Sequence, residues 1–194
     1  MLLRSAAGEF SRAEFSDVSL GAIATNVGLT PAAIYNHFAS KEDLFFATTV
    51  HMMRVNLTAI ETSLNEAVGW KAQLQSVLDL IRRDATGWFR FPLLISAVQL
   101  KILRNPTEFT EILKLRRAYV SQFLIVIDSA IEDRCLPQKL AREPAAELLM
   151  AFVFNALGTA MSHRRSVEET EDLFESFTTL VGLADQAGRP RAGD

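Results

Sequence analysis

The sequence predicts an all-α protein of about nine helices, with a three-helix unit at its N-terminus and a larger helical part behind it. Two observations support this fold class. Apolar residues recur at intervals of three and four positions along most of the 194-residue chain, the periodicity of helices with one buried face. Prolines and glycines are few and mostly mark the ends of these stretches, and the alternating β-branched pattern of strands is nearly absent.

The first two helices are short and amphipathic. The apolar side of the first helix consists of Leu3, Ala6, Ala7 and Phe10. Ser19 is predicted to cap the second helix, because a serine oxygen can accept a hydrogen bond from the first free backbone N–H groups. The apolar residues of this second helix follow the i, i+3, i+4, i+7 pattern and are Leu20, Ile23, Ala24 and Val27.

The third helix is predicted over residues 31–38, between two closely spaced helix starts. Gly28 can adopt the positive φ that ends the second helix, and Thr30 can cap the third. Ser40, with Asp43 three residues later, forms the pattern of a capping box for a fourth helix. Two helices joined by a tight turn that contains glycine are typical of a helix-turn-helix motif.

The short third helix has two different faces. Its inward side is predicted to belong to the core, and the core residues expected here are Leu29, Ile34, Phe38 and Leu44. Its outward side carries small, polar or aromatic residues without carboxylates, which are Thr30, Ala32, Tyr35, Asn36 and His37. Since so short a helix is unstable alone, we expect its neighbours to hold it in place to present this outward face.

The rest of the chain is predicted to be helical as well. The expected helices cover Lys41–Glu66, Trp70–Trp88, Pro92–Arg104, Pro106–Arg134, Pro144–His163 and Ser166 to about residue 187. We therefore predict an N-terminal domain over residues 1–47, a helical domain over 48–187 and a disordered tail over 188–194. The fourth helix would connect the two domains without a flexible linker.

Composition limits the possible functions. The single cysteine, Cys135, excludes an internal disulfide framework and a multi-cysteine zinc site, and we expect neither a metal nor a cofactor. The longest apolar run, residues 148–161, is shorter than the roughly 20 residues of a membrane span, and no targeting signal is evident, so a cytoplasmic protein is expected. The net charge is −3, and residues 1–47 carry three basic and five acidic side chains, an unusual balance for a DNA-binding module.

The N-terminal pattern resembles the TetR family of bacterial transcriptional regulators. The resemblance rests on the order and spacing of Ser19-Leu20-Gly21-Ala22-Ile23-Ala24, Gly28-Leu29-Thr30, Ile34-Tyr35-Asn36-His37-Phe38 and Ser40-Lys41-Glu42-Asp43-Leu44. It covers roughly 45 residues, and the remainder of the chain matches only in the number and length of its helices. The resemblance implies a three-helix DNA-binding domain followed by a helical effector-binding and dimerisation domain.

The resemblance also implies which residues would contact double-stranded DNA. Contacts to backbone phosphates would come from Ser19, Thr30, Tyr35, His37 and Lys41. Residues against the major groove would be Pro31, Ala32 and Asn36. For two of these residues a structural role is the alternative, because Tyr35 can instead pack on the fourth helix and His37 can bond a neighbouring carbonyl.

The larger domain of such a protein would bind a hydrophobic or amphipathic small-molecule effector. The candidate effector contacts are apolar residues with a few polar groups among them, namely Trp88, Phe89, Phe91, Gln99, Tyr119, Gln122, Phe123 and Asn155. The alternative is a role in the core for the apolar residues and a role at the surface or in the core for the polar ones. The last two helices would pair with those of a second copy, so that the homodimer reads a palindromic operator.

We therefore expect a ligand-responsive transcriptional repressor that acts as a homodimer and is not an enzyme. The three histidines are widely separated in sequence, and no glycine-rich phosphate loop or nucleophile elbow is present. Two alternatives stay open. The chain could be an interaction protein that keeps the fold and has weak or lost DNA binding, as its acidic N-terminal part suggests, or a helical small-molecule-binding or catalytic protein in which the helix-turn-helix is incidental.

Overall fold

The computed structural model describes residues 1–83 and 109–162, together with Asp172, Glu175, Ser176, Thr179 and Gly182. Within these residues the regular structure is entirely α-helical apart from one 3₁₀ position, so the predicted fold class is confirmed. Seven helices fall in the described part: α1 (Leu2–Phe10), α2 (Leu20–Thr25), α3 (Pro31–Tyr35), α4 (Lys41–Glu66), α5 (Trp70–Arg83), α6 (Thr110–Glu132) and α7 (Arg142–Ser162). The further helix predicted over 92–104 lies outside the described residues, and of the helix predicted after Ser166 the structure describes Asp172, Glu175, Ser176 and Thr179, which are helical, and Gly182, which is in a turn.

The predicted helix caps in the N-terminal part are confirmed. The Ser19 hydroxyl accepts from the Ala22 N–H at 3.4 Å, and the Thr30 hydroxyl accepts from the Ala33 N–H at 3.2 Å. The Ser40 hydroxyl accepts from the Asp43 N–H at 3.0 Å at the start of α4. These bonds satisfy backbone donors that a helix start leaves free, which is why three helices can begin within 25 residues.

The segment from the α2–α3 turn to the end of α3 agrees with the prediction at Gly28 and differs from it at Leu29 and at the last residue of α3. Gly28 has the expected positive φ of 70°. α3 ends at Tyr35 rather than at Phe38, because the N–H groups of His37 and Phe38 both bond the Ile34 carbonyl and close a tight turn. The prediction that Leu29 is buried is wrong, since Leu29 is 42% exposed. It lies in the extended segment between the Gly28 turn and the Thr30 cap, where α2 and α3 already fill the core with other residues.

The core of the N-terminal part contains an aromatic cluster at the contact between α1 and α4. The Phe45 ring meets the Phe10 ring edge-on, with centroids 5.0 Å apart, and the Phe15 ring at 5.5 Å. Phe45 is 2% exposed. Ile34 and Leu44 are buried as predicted, and Phe38 is half-buried against the same cluster of core residues. The loop after α1 is therefore attached to α4 through Phe15.

α4 is the element that joins the two parts of the chain. Its 26 residues pack against α1 near its start and against α5 and α6 further along. The predicted domain boundary at residue 47 falls inside this helix, so no linker separates the two parts. Arg54 of α4 also pairs with Glu111 of α6 at 2.6 Å, and this hydrogen bond lowers the pKa of the Glu111 carboxyl. A rigid shift of α4 relative to α6 would therefore displace α4 both where it contacts α1 and where it contacts α5.

The larger part is built on the antiparallel pair α6 and α7, which α4 and α5 flank. α6 begins at Thr110 after Phe109, whose ring lies 4.5 Å from that of Phe46. The start predicted for this helix, Pro106, lies outside the described residues. α7 begins at Arg142 rather than at Pro144. Pro144 is tolerated there because the first-turn N–H groups of a helix have no partner within it.

No helix in the two described ranges has both the length and the hydrophobicity that crossing a membrane would require. The same ranges contain no cluster of three or more histidine, cysteine, aspartate or glutamate side chains arranged to hold a metal ion.

We predict that the stability of the protein falls as the pH drops below 6.5, because of His51 in α4. Partial burial, followed by the positive charges of Arg4, the Met1 amino group and Arg54, lowers the pKa of His51 below its ordinary 6.5. The unfolded chain therefore binds a proton at a higher pH than the folded chain does, and protonation favours unfolding. Urea denaturation between about pH 7.5 and 5.5 should show this loss, and His51→Gln should reduce it. An unchanged pH dependence in His51→Gln would contradict the assignment.

Candidate nucleic-acid interface

The outward surface of α2 and α3 is free of charged side chains. No Asp, Glu, Lys or Arg occurs between Ser19 and Ser40. Seven of the eight predicted DNA contacts are exposed on or beside this surface: Ser19, Thr30, Pro31, Ala32, Tyr35, Asn36 and His37. Tyr35 is 56% exposed, so its ring is not part of the core. Six of the seven lie in or directly next to α3, and Ser19 lies at the start of α2.

Most polar side chains of this surface already have partners inside the protein. The hydroxyls of Ser19 and Thr30 cap helices, and the Thr25 hydroxyl donates to the Gly21 carbonyl at 2.9 Å. The Asn26 amide donates to the Glu9 carboxylate at 3.2 Å, which joins α2 to the end of α1. The polar side chains of this surface that have no intramolecular partner in the described part of the chain are Tyr35, Asn36 and His37.

The eighth predicted contact, Lys41, is half-buried and has partners within the N-terminal part. Its ammonium group donates to the carbonyls of Ser16 at 2.9 Å and Val18 at 3.1 Å. It also lies 4.8 Å from the centre of the Phe15 ring, a cation–π geometry. Lys41 therefore holds the loop before α2 against the start of α4. Only one of its three N–H donors is left for a phosphate.

Sequence reasoning missed this structural role of Lys41. Its carbonyl partners lie 25 and 23 residues earlier in the chain, in a loop without regular structure. No periodic pattern links a lysine to loop carbonyls at such a distance. The only signal in the sequence was the positive charge of Lys41, which fits a phosphate contact as well as it fits bonds to loop carbonyls.

We predict that Lys41→Met destabilises the protein by about 1–3 kcal/mol, because two hydrogen bonds from a charged donor are lost. Hydrogen exchange of the backbone amides of residues 15–23 should become faster, since the loop is released from α4. Lys139→Met is the matched control, because Lys139 is exposed and has no hydrogen bond or ion pair in the described structure, and it should change stability by less than about 0.5 kcal/mol. Equal stability of the two variants would contradict the structural role of Lys41.

The predicted effector contacts fall into two groups. Trp88, Phe89, Phe91 and Gln99 lie outside the described residues, and Asn155 is in α7 but its side chain is not described. The other three belong to α6. Tyr119 and Phe123 are 2% and 1% exposed, and Gln122 is half-buried with its amide 3.4 Å from the Glu61 carboxylate.

The Tyr119 side chain makes both a hydrogen bond and a ring contact within the protein. Its hydroxyl donates to the Met53 carbonyl of α4 at 2.8 Å, and its ring meets the Phe154 ring edge-on at 5.5 Å. Burial first, and the Glu61 carboxylate second, raise the pKa of the Tyr119 phenol well above its ordinary value of 10.0. The phenol is therefore neutral and acts as a hydrogen-bond donor between α6 and α4. Its contact with an effector stays a prediction.

Two cavities lie elsewhere in the described part. One, of about 520 Å³, opens between α4 and α5 and is lined by Val55, Thr58, Ala59, Thr62, Ser63, Glu66, Ala67, Ser76 and Leu80. The other, of about 620 Å³, is more apolar and is lined by residues of α5, α6, α7 and the following segments, including Trp70, Lys71, Leu74, Val126, Leu136 and Leu149. Tyr119, Gln122 and Phe123, the three predicted effector contacts whose side chains the structure describes, line neither cavity. The sequence did not indicate the cavities, because the volume left between packed helices depends on how those helices pack and not on a residue pattern.

These features define a helical protein with an exposed helix-turn-helix rigidly joined to a larger helical part. Residues 2–48 match the family model of bacterial regulatory proteins of the tetR family. This match, together with the likeness of most of the chain to solved TetR-family structures, confirms the resemblance to the TetR family seen in the sequence.

Three solved structures illustrate the likeness over the whole chain. The regulatory protein TetR from Rhodobacter sphaeroides is 17% identical with a TM-score of 0.74, covering 93% of this chain and 95% of that one. The fatty acid degradation regulator FadR from Bacillus halodurans is 16% identical with a TM-score of 0.72, covering 93% and 96%. The ketosteroid transcriptional regulator of Mycobacterium tuberculosis is 15% identical with a TM-score of 0.69, covering 93% and 91%. No curated protein sequence matches significantly.

Proposed function

We propose that this protein is a transcriptional regulator that binds an operator as a homodimer and releases it when a small-molecule effector binds. The observation that carries the proposal is the exposed surface of α3, where Tyr35, Asn36 and His37 have free polar groups beside the small residues Pro31 and Ala32. Because Pro31 and Ala32 are small, the surface of α3 can approach a DNA groove closely. Phosphate contacts would set its register, and contacts to base edges would select the sequence.

The proposed response to an effector depends on α4. α4 begins next to α3 and continues into the larger part, where Tyr119 and Arg54 connect it to α6. An effector that binds the larger part would tilt α4 and change the spacing of the two recognition helices in the dimer. Since half-sites must lie about 34 Å apart for both helices to enter the groove, a change of spacing lowers DNA affinity.

Two observations support the proposed class of effector: the side chains that line the larger cavity, and two similar solved structures. The 620 Å³ cavity is lined mainly by apolar side chains, with Lys71 as a cationic residue at its edge. The similar structures are those of a fatty acid degradation regulator and of a ketosteroid regulator. A hydrophobic or amphipathic molecule is therefore the proposed effector class.

The proposed dimer uses α7 and the helix predicted after it. On α7, Leu148 is 72% exposed and Phe152, one turn later, is 48% exposed. Large apolar side chains that stay exposed on one helical face are typical of protein–protein interfaces. Light scattering at micromolar concentration should give the mass of a dimer, and Leu148→Glu should shift it towards the monomer. A monomer mass for the unaltered protein would contradict the dimer.

DNA binding can be tested by fluorescence anisotropy on duplexes from the region upstream of the gene. We expect specific binding that weakens steeply as salt rises from about 50 to 200 mM, because bound phosphates release counterions. Tyr35→Ala should weaken binding. Val68→Ala is the control, because Val68 is 92% exposed and lies in the α4–α5 connection, and it should leave binding unchanged.

A second candidate function is favoured by the net charge of −2 over residues 1–47. In this alternative the chain keeps the fold and binds another protein in place of DNA. The same titrations separate the two functions. Absence of upstream binding at about 50 mM salt would overturn the proposed regulator and favour the interaction protein.

A further inference from the structure

The chemistry of the α3 surface restricts which bases it can recognise. Guanine is most often read by a bidentate contact from arginine or lysine to its O6 and N7 atoms. No charged residue lies between Ser19 and Ser40, and the nearest lysine, Lys41, is bound to the carbonyls of Ser16 and Val18. The α2–α3 surface therefore lacks the side chains that make the commonest guanine contact.

What the surface offers is suited to an A·T base pair. Asn36 has a side-chain amide with both a donor and an acceptor, the pair that matches N6 and N7 of adenine. This amide is exposed and has no intramolecular partner in the described structure. Ala32 carries a methyl group, which can contact the C5 methyl of thymine.

The placement of the two residues allows them to act together. Asn36 follows the last residue of α3 and still has helical backbone angles, with φ −67° and ψ −22°, and its N–H bonds the Ala32 carbonyl. Residues four positions apart lie on the same side of a helix, one above the other. Ala32 and Asn36 thus form one short row on the exposed side of α3. The exposed Leu29 and Pro31 at the start of the helix add apolar surface and no charge.

We infer that Ala32 and Asn36 determine the sequence preference of this protein and select A·T base pairs in each half-site, Asn36 by binding adenine and Ala32 by contacting a thymine methyl group. The inference rests on the proposed DNA binding and names the base pairs that it recognises. Tyr35 and His37 would hold the phosphates on either side, so they would contribute affinity without preference for a base.

Selection of bound duplexes from a random library tests the preference. We expect A·T pairs at the half-site positions under α3, and we expect Asn36→Ala to lose the preference for adenine at one position of each half-site. The loss of discrimination should be roughly 5- to 150-fold, the range for a bidentate base contact. His37→Ala is the matched control from the adjacent residue, and it should weaken all duplexes alike.

Modified bases then test each contact separately. Replacing that adenine by 7-deazaadenine removes the N7 acceptor and should weaken binding of the unaltered protein but not of Asn36→Ala. Replacing the contacted thymine by uracil removes only the methyl group and should weaken the unaltered protein more than Ala32→Gly. Each pair of measurements is a double-mutant cycle across the interface.

Three outcomes would overturn the inference. Specific binding to G·C pairs under α3, or an Asn36→Ala variant with an unchanged preference, would refute the base assignment and leave the proposed regulator intact. A selection that enriches no sequence at all would refute the proposed DNA binding together with the base assignment. Circular dichroism of each variant confirms that a lost preference does not reflect a lost fold.

Discussion

Phe45→Ala is expected to destabilise the protein by about 3–5 kcal/mol, the usual cost of truncating a buried aromatic side chain. Phe45 is 2% exposed, and its ring contacts Phe10 of α1 and Phe15 of the following loop at 5.0 and 5.5 Å. Its removal leaves a cavity between α1 and α4 and also removes three aromatic edge contacts, to Phe10, Phe15 and Phe46. Urea denaturation followed by circular dichroism measures the change in the free energy of unfolding.

The control for Phe45→Ala is Tyr35→Ala, in which an exposed aromatic residue is truncated in the same part of the chain. Tyr35 is 56% exposed, so its loss should change stability by no more than about 0.5 kcal/mol. DNA binding should decrease in both variants for different reasons. Phe45→Ala removes the support of the helix-turn-helix, whereas Tyr35→Ala removes a contact. Similar unfolding free energies for the two variants would contradict the described core.

Tyr119→Ala should likewise lower the free energy of unfolding by about 3–5 kcal/mol, because Tyr119 is 2% exposed and packs on Phe154. The more informative variant is Tyr119→Phe. It keeps the ring and removes only the hydroxyl that donates to the Met53 carbonyl at 2.8 Å. We expect it to cost about 1 kcal/mol, the net contribution of one hydrogen bond.

The pair of Tyr119 variants separates packing from hydrogen bonding between α6 and α4. If Tyr119→Phe were as destabilising as Tyr119→Ala, packing of the ring would not be the main contribution, against the structure. Tyr119→Phe should also reduce the effect of an effector on DNA affinity, since the hydroxyl is a direct link from α6 to α4. Anisotropy titrations with and without a bound effector would measure this coupling.

Much of the N-terminal part could be predicted because its determinants are local. The caps at Ser19, Thr30 and Ser40 each bond a backbone N–H three residues ahead, and the bond depends on the residue type at one position. Gly28 takes the left-handed conformation that its lack of a Cβ permits. Leu29 shows the limit of this reasoning, since an apolar residue beside a turn was expected inside and is exposed.

The membership of the candidate site stays a prediction, and the structure tests only the exposure of its members and their partners within the protein. Sequence reasoning selected the eight residues around α3, and seven are exposed there. It did not reveal that Lys41 is occupied by loop carbonyls, nor that Asn36 is left free while Asn26 is bound to Glu9. Whether a polar side chain is free depends on partners from other segments. The effector contacts were harder to predict than the residues around α3, because a cavity is a space between helices and has no residue pattern of its own.

The sequence by itself therefore determined the all-α class, the positions of the N-terminal caps and turns, and the exposed character of α3. Hydrogen bonds over three or four residues and the helical repeat of apolar side chains are sufficient for these features. Only the tertiary structure decided that Lys41 fastens the loop before α2, that Tyr119 bonds α4, and where the cavities open. The hydrogen-bond partners of Lys41 and Tyr119 lie 23 to 66 residues away in the chain. Such contacts form only when the packing of the whole chain brings distant segments together.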